Sequence, residues 1–239
     1  VKKNLYLRTA IQALRTVGVT RTVGHVWGTL RDYTFDWKYG TDTAAWASLA
    51  DLTIDSQNSP KGVDYHPTRI KPFYKVFQTL NLPSQAGFVD FGCGKGRTLT
   101  MAADLGFSRV VGVEFSKALC EIARRNLAIY QQTNNAVAEV SVVESDAVDY
   151  EIDPADQIFY FFHPFDESVL RKVMENICRS LDRCPRKIWI VYYEPVHHKI
   201  IEYIGKSICL DKREIMSGGC LFYIYEGNET PPLGGKSTP

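Results

Sequence analysis

The ten residues Phe88-Val89-Asp90-Phe91-Gly92-Cys93-Gly94-Lys95-Gly96-Arg97 decide how the rest of the chain is read. An apolar run around one acid makes a short buried strand, and three alternate glycines then turn the chain toward a helix that begins near Arg97. Glycines in such a turn let the backbone approach a ligand closely, and the start of the following helix offers free N–H groups. The spacing is G-x-G-x-G, and Arg97 stands where a nicotinamide or flavin fingerprint needs a small residue. A phosphate loop is absent too: no G-x-x-x-x-G-K-[ST] occurs, and Gly235-Lys236-Ser237 lacks the first glycine.

Downstream of this turn the chain alternates strand and helix. Strands are predicted over 88–90, 110–114, 140–144, 157–162 and 187–193, with helices over 97–105, 116–130 and 166–181 between them. Such alternation predicts a parallel sheet with helices on both faces. The strands are β-branched and aromatic without polar alternation, as strands covered on both sides should be. Ser116 and Asp166 sit where helix N-caps belong. Segments 207–210 and 220–226 flank Gly218-Gly219 and are predicted to pair as an antiparallel hairpin. Upstream, Phe73, Val76, Phe77 and Leu80 give one more helix, ending before Leu82-Pro83. The stretch 33–62 shows no sustained period and is read as an irregular cap. Leu7, Ile11 and Leu14, then Val23, Val26, Trp27 and Leu30, predict two amphipathic helices at the start. The expected fold is therefore α/β: a Rossmann-like doubly wound sheet, mostly parallel, with an antiparallel C-terminal hairpin and a helical N-terminal extension. The expected division is an extension or cap over 1–62, a main domain over 63–226 and a loose tail over 227–239.

Composition closes off other classes. With 45% apolar and 23% charged residues in 239, the chain is neither disordered nor fibrous. Its longest apolar runs, such as 188–193, are about six residues, far short of the roughly 18 a membrane-spanning helix requires. Its six cysteines lack the spacing of a structural zinc site. They read as buried thiols of a reducing cytosol, which implies a cytoplasmic protein. Net charge is +1, yet Lys2, Lys3, Arg8, Arg15, Arg21 and Arg31 all precede the first acid, Asp32. That basic start is compatible with a solvated helix face, a transit segment or a nucleic-acid contact.

Asp90, Gly92, Gly94 and Gly96 together resemble the D-x-G-x-G-x-G signature of class I S-adenosylmethionine-dependent methyltransferases. The likeness extends over about residues 65–226, because Glu114 ends the second strand and Asp146 follows the third. In open α/β sheets ligands bind at the carboxyl ends of the strands, where a carboxylate can accept two hydrogen bonds from a ribose diol. Carried over by position, the resemblance implies S-adenosyl-L-methionine as cofactor. Its methionine part would lie on Gly92, Gly94 and the adjoining Cys93, Gly96 and Arg97, with Asp90 reaching the amino group directly or through water. Glu114 would take the ribose, with Phe115 among the contacts, and Asp146 the adenine amino group, with Ala147 beside it. Tyr65-His66-Pro67-Thr68-Arg69 is similar to a loop that covers the cofactor in lysine methyltransferases of the histone H3 nucleosomal, non-SET type. It implies Tyr65 closing over the cofactor and Thr68 bonding its carboxylate.

The acceptor side is read from Phe161-Phe162-His163-Pro164-Phe165-Asp166. Many amino-group methyltransferases of this class carry there an Asn or Asp, two prolines and an aromatic residue. His163 and Phe165 stand in the polar and aromatic places. A neutral imidazole accepts one bond or takes a proton, whereas an amide both donates and accepts, so His163 is either a base or a hydrogen-bonding group. Tyr192-Tyr193-Glu194 ends the next strand and brings Tyr193 or Glu194 toward the substrate; His197 and His198 read as surface residues. Phe162, Phe165, Tyr65 and Tyr193 are candidates for an apolar acceptor wall. The implied reaction is methyl transfer to an amino nitrogen of a protein, lysine-like, or of a small amine. Two alternatives stand beside it: an O- or small-molecule methyltransferase with His163 as general base, and a non-catalytic scaffold holding nucleic acid through the basic N-terminus.

Overall fold

The structure, a computed structural model, describes residues 33–48, 56–134 and 138–227. The two expected N-terminal helices, the basic start and residues 228–239 lie outside the described residues. In chain order the elements are α1 (Ile70–Thr79), β1 (Gly87–Phe91), α2 (Arg97–Asp104), β2 (Arg109–Glu114), α3 (Lys117–Asn134), β3 (Glu139–Glu144), β4 (Asp156–Phe162), α4 (Glu167–Arg183), β5 (Ile188–Tyr193), α5 (His198–Gly205), β6 (Leu210–Ser217) and β7 (Cys220–Gly227).

The strands form one seven-stranded sheet in the order β3-β2-β1-β4-β5-β7-β6. The first five are mutually parallel, and β7 runs antiparallel between β5 and β6. Strand alternation assigns the two faces. Phe88, Ile158, Tyr160 and Val191 pack with Phe73 and Phe77 of α1 and with Leu99 of α2. Val89, Phe91, Phe159 and Phe161 pack with Val169, Val173 and Ile177 of α4 and Ile201 of α5. Central strands buried on both faces explain why their sequences carry no polar alternation. Asp166 caps α4 as expected, its Oδ1 accepting from Val169 N at 3.0 Å.

Two sequence expectations are corrected and one helix is added. Residues 33–39, read as part of an irregular cap, are helical, with Phe35 and Tyr39 buried against the core. The segment after β5, for which the sequence carries no expectation, contains α5, whose buried Ile200 and Ile201 are adjacent and so show no helical period. The hairpin begins at Leu210, not Ser207, which lies in a 3-10 turn over Ser207 and its neighbours Lys206 and Ile208. Its first strand carries Asp211-Lys212-Arg213-Glu214, a run that looks like a loop but suits an exposed edge strand. Gly218 and Gly219, at φ 59° and 78°, supply the two positive-φ positions of a tight hairpin turn.

Candidate active site

Strand order reverses at β1, so the connections leaving β1 and β4 diverge and open a crevice at their carboxyl ends. A cavity of about 490 Å³ lies there, within the range of small-molecule sites. A strap, residues 56–66, crosses this edge of the sheet. Val63 N donates to Pro164 O at 3.2 Å, and Asp166 N donates to Lys61 O at 3.0 Å, so the strap is laced to the end of β4.

The glycine turn fits its surroundings too closely for side chains. Gly92 and Gly94 take φ 83° and 53°; a Cβ on Gly92 would lie 2.4 Å from Pro164, and one on Gly94 2.1 Å from the Tyr65 ring. Gly96 is different. It is the N-cap of α2, and its absent Cβ makes room for Ala123 of α3, so the structure does not bring Gly96 to the cavity wall.

Two buried carboxylates stand over this turn. Glu114 accepts from Gly94 N through Oε2 (3.0 Å) and from Ser116 N through Oε1 (2.9 Å). Burial pushes it up to about 7 against the pull of these backbone bonds. Asp90 accepts from the Thr98 hydroxyl; burial likewise raises it to about 7, and the nearby Glu114 adds to the shift. Each oxygen of Glu114 keeps a second lone pair, so the site can still accept a pair of hydroxyls. Asp146, at the end of β3, accepts from Ser56 Oγ (2.6 Å), Asn58 Nδ2 (2.9 Å) and Val148 N (3.1 Å). Burial opposes ionisation there, but these bonds hold Asp146 below the ordinary carboxylate range.

Of the other predicted residues, Phe115 and Ala147 line the cavity. Thr68 shares a hydrogen bond with the Tyr160 hydroxyl at 3.1 Å. Tyr65 donates its hydroxyl to Thr43 O at 2.7 Å and lays its ring on the glycine turn. Cys93 lies on the cavity wall and packs among the core residues, its thiol raised well above its usual range by burial. Arg97 is 1% exposed; its Nε donates to Thr43 Oγ1 at 2.8 Å and its ring neighbour is Phe35. Arg97 thus touches the cavity while its guanidinium ties residues 35–43 to α2.

On the acceptor side Phe162 packs on Tyr193 (ring centroids 4.2 Å), and Tyr193 stacks on Phe222 (4.6 Å). The Tyr193 hydroxyl donates to Cys220 Sγ at 3.1 Å, so the ring, not the phenol, is what the cavity meets. Phe165 packs edge-on to Phe161. His163 lines the same wall with a buried Nδ1 that has no partner among the described residues. Burial, then the charge of His197, lowers its pKa. His197 was expected at the surface; its ring lies 5.2 Å from that of His163. No group of three metal-ligating side chains occurs among the described residues.

Sequence reading missed Ser56, Asn58, Thr98 and Tyr160. Thr98 alone had a usable signal, its place one residue into the helix after the glycines. The others arrive through chain crossings that no local pattern encodes.

Residues 88–183 match the family model described as a methyltransferase domain. Among solved structures the chain is similar to an RNA methyltransferase from Salinibacter ruber in complex with S-adenosyl-L-homocysteine, at 18% identity over 70% of this chain and 97% of that one, TM-score 0.51. It is also similar to the methyltransferase domain of bacterial CtHen1-CN, at 14% identity over 65% of this chain and 97% of that one, TM-score 0.51. At these identities the likeness is one of fold. No curated protein matches the chain.

Proposed function

Residues 88–183 form a class I S-adenosylmethionine-dependent methyltransferase domain, and from that premise we propose that the enzyme methylates an amino nitrogen of a protein, lysine-like, or of a small amine. The observation that carries this reading is the acceptor wall. Phe162, Phe165 and Tyr193 face the cavity beside an imidazole that burial keeps uncharged.

The residues present fit the cofactor. The glycine turn leaves no room for a Cβ, Glu114 retains acceptor capacity, and two carboxylates at about 7 stand buried without a cation partner. Glu114 would hold the ribose, Asp90 the methionine amino group, and Asp146 with Asn58 the adenine edge. When bound, the cofactor supplies a sulfonium methyl, an electrophile strong enough that the protein needs mainly to align the nucleophile and exclude water.

The chain's own part is desolvation and proton control. An amine must be neutral to attack, and an apolar wall penalises its charged form. Aromatic rings at the end of β4 and β5 supply that wall. His163, its charged form disfavoured by burial, accepts a hydrogen bond from the amine or takes its proton. The same neutrality supports the alternative reading, His163 as base toward a hydroxyl; that reading requires the rate to fall as His163 is protonated, below the ordinary imidazole pKa.

The test is methyl transfer from labelled S-adenosylmethionine to lysine-rich peptides and small primary amines, set against matched alcohols and carboxylates. Base-stable label on nitrogen is the expected product. Label found only on hydroxyl or carboxyl acceptors overturns the proposal. Salt-sensitive RNA binding with no transfer to any acceptor would favour the scaffold reading instead.

A further inference from the structure

Strands β4 and β5 run parallel with Phe162 opposite Tyr193. The next residue of each, His163 and Glu194, therefore leaves the sheet at the same level. Both take left-handed backbones, φ 41° and 48°, a conformation that non-glycine residues seldom hold. Both line the cavity. The Glu194 turn is fixed by its own N–H, which donates to Leu221 O at 2.9 Å, and by Val196 N, which donates to Glu194 O at 2.9 Å. Its carboxylate makes no hydrogen bond or ion pair among the described residues. Asp90, Glu114 and Asp146, the other acids named in the site, all accept bonds from the protein.

We propose that Glu194 selects a cationic alkylammonium acceptor, drawing it to the cavity mouth and seating its stem on the Phe162–Tyr193 face. The inference rests on the amine reading of the site and gives it a recognition residue. Glu194 is exposed, so its charge acts at entry, where water still screens it. Deeper in, the wall is aromatic and disfavours the charge. There the ammonium releases one proton to water at the cavity mouth, the amine keeps its lone pair, and its remaining N–H donates to a ring nitrogen of neutral His163.

His163 suits that position because it presents no standing positive charge. Protonating it would place an N–H at the buried Nδ1, which has no partner. It would also set a charge 5.2 Å from the His197 ring. The elements packed around the His163 and Glu194 turns carry Lys61 and Asp64 on the strap, Arg69 before α1, Asp166 on the loop after β4, and Glu194 and His197 on the turn after β5. Of these, His197 is the group whose charge acts on His163.

The experiment uses the full chain saturated with S-adenosylhomocysteine, with n-butylammonium as the lysine-stem probe and n-butanol as its neutral match, followed by ligand-observed NMR. The wild type is expected to prefer n-butylammonium. Glu194→Gln should weaken that probe by about fivefold, the size of an exposed charge contact, and leave n-butanol and S-adenosylhomocysteine unchanged. Raising salt from about 0.05 M to about 0.5 M should weaken the wild type and hardly touch the variant. Equal affinity of n-butylammonium for both proteins overturns the role of Glu194 while the amine reading stands. A wild type that holds n-butanol as well as n-butylammonium overturns both.

Discussion

Glu114 is the residue on which the proposed cofactor binding is tested. Its two oxygens already order Gly94 and Ser116, so Glu114→Ala removes the proposed ribose acceptor and leaves two buried N–H groups unpaired. Calorimetric titration should show S-adenosylmethionine and S-adenosylhomocysteine binding in the wild type and none in this variant. The same carboxylate sets a pH dependence. Glu114 rises from 4.5 to about 7, and Asp90 from 3.8 to about 7, both chiefly through burial. A raised folded-state pKa stabilises the protein fully below the unfolded value, and that stability is lost as pH rises through the folded one. The cofactor-free protein should therefore melt at lower temperature as pH goes from about 5 to about 8, and Glu114→Gln should flatten the slope. A wild-type melting temperature that does not move over this range contradicts the buried charges. Gly94→Ala combines φ 53° with a Cβ 2.1 Å from the Tyr65 ring. It should cost about 1–2 kcal/mol in backbone strain alone, plus displacement of Tyr65, and a denaturant melt would read it. The three acids were legible because a strand end fixes where its next side chain goes. The paired left-handed turns at His163 and Glu194 were not, since nothing local distinguishes them from ordinary loop residues.

Among the elements, α4 and the strap make contrasting cases. Asp166 was recognisable as a cap because Asp before an apolar helical stripe is a local signal. Asp166→Ala should cost about 1 kcal/mol with cofactor affinity unchanged, and a larger effect on affinity would mean that α4 positions the site. The strap depends on contacts far away in sequence, with Ser56 and Asn58 bonded to Asp146. Asp146→Ala removes the two hydrogen bonds to the strap, worth about 0.5–1.5 kcal/mol each, together with the one from Val148 N. The amides of Lys61 and Gly62, which donate to Asn58 O and Ser59 O, should then exchange faster with solvent. Unchanged exchange would show that the strap is held by its bonds to β4 alone. Helix α5 and strand β6 escaped the sequence reading for a related reason: one is short, the other is charged because it lies at an edge.

At the scale of the whole molecule, the described part of the N-terminal region is joined to the sheet through two polar knots. Asp36 accepts from Thr43 N at 2.8 Å and Ala44 N at 2.6 Å, and buried Arg97 bonds Thr43 from beneath. On the far side of α2, the hydroxyls of Tyr39, Tyr74 and Tyr130 converge on Asp104, which draws residue 39, α1 and α3 together. The Arg97 guanidinium also lies 4.0 Å from the Asp36 carboxylate, so Arg97→Ala should cost about 3 kcal/mol or more, as when one partner of a buried pair is removed. Proteolysis within residues 33–48 should become faster in that variant, and an unchanged cleavage rate would mean that Phe35 and Tyr39 packing suffices.

The sequence by itself determined the sheet, the glycine turn, the acids at the strand ends and the aromatic residues that follow β4 and end β5. These follow from the period of side chains and from the rule that strand ends carry the site, both local properties of a parallel α/β chain. Tertiary structure alone decided that Gly96 serves helix packing, that Arg97 binds the N-terminal region, and that His163 meets His197. It also decided that residues 56–66 close over Asp146. Each of these depends on a meeting between residues distant in the chain, and the energy that fixes such a meeting, burial of shared surface and pairing of buried polar groups, has no counterpart in any local stretch of sequence.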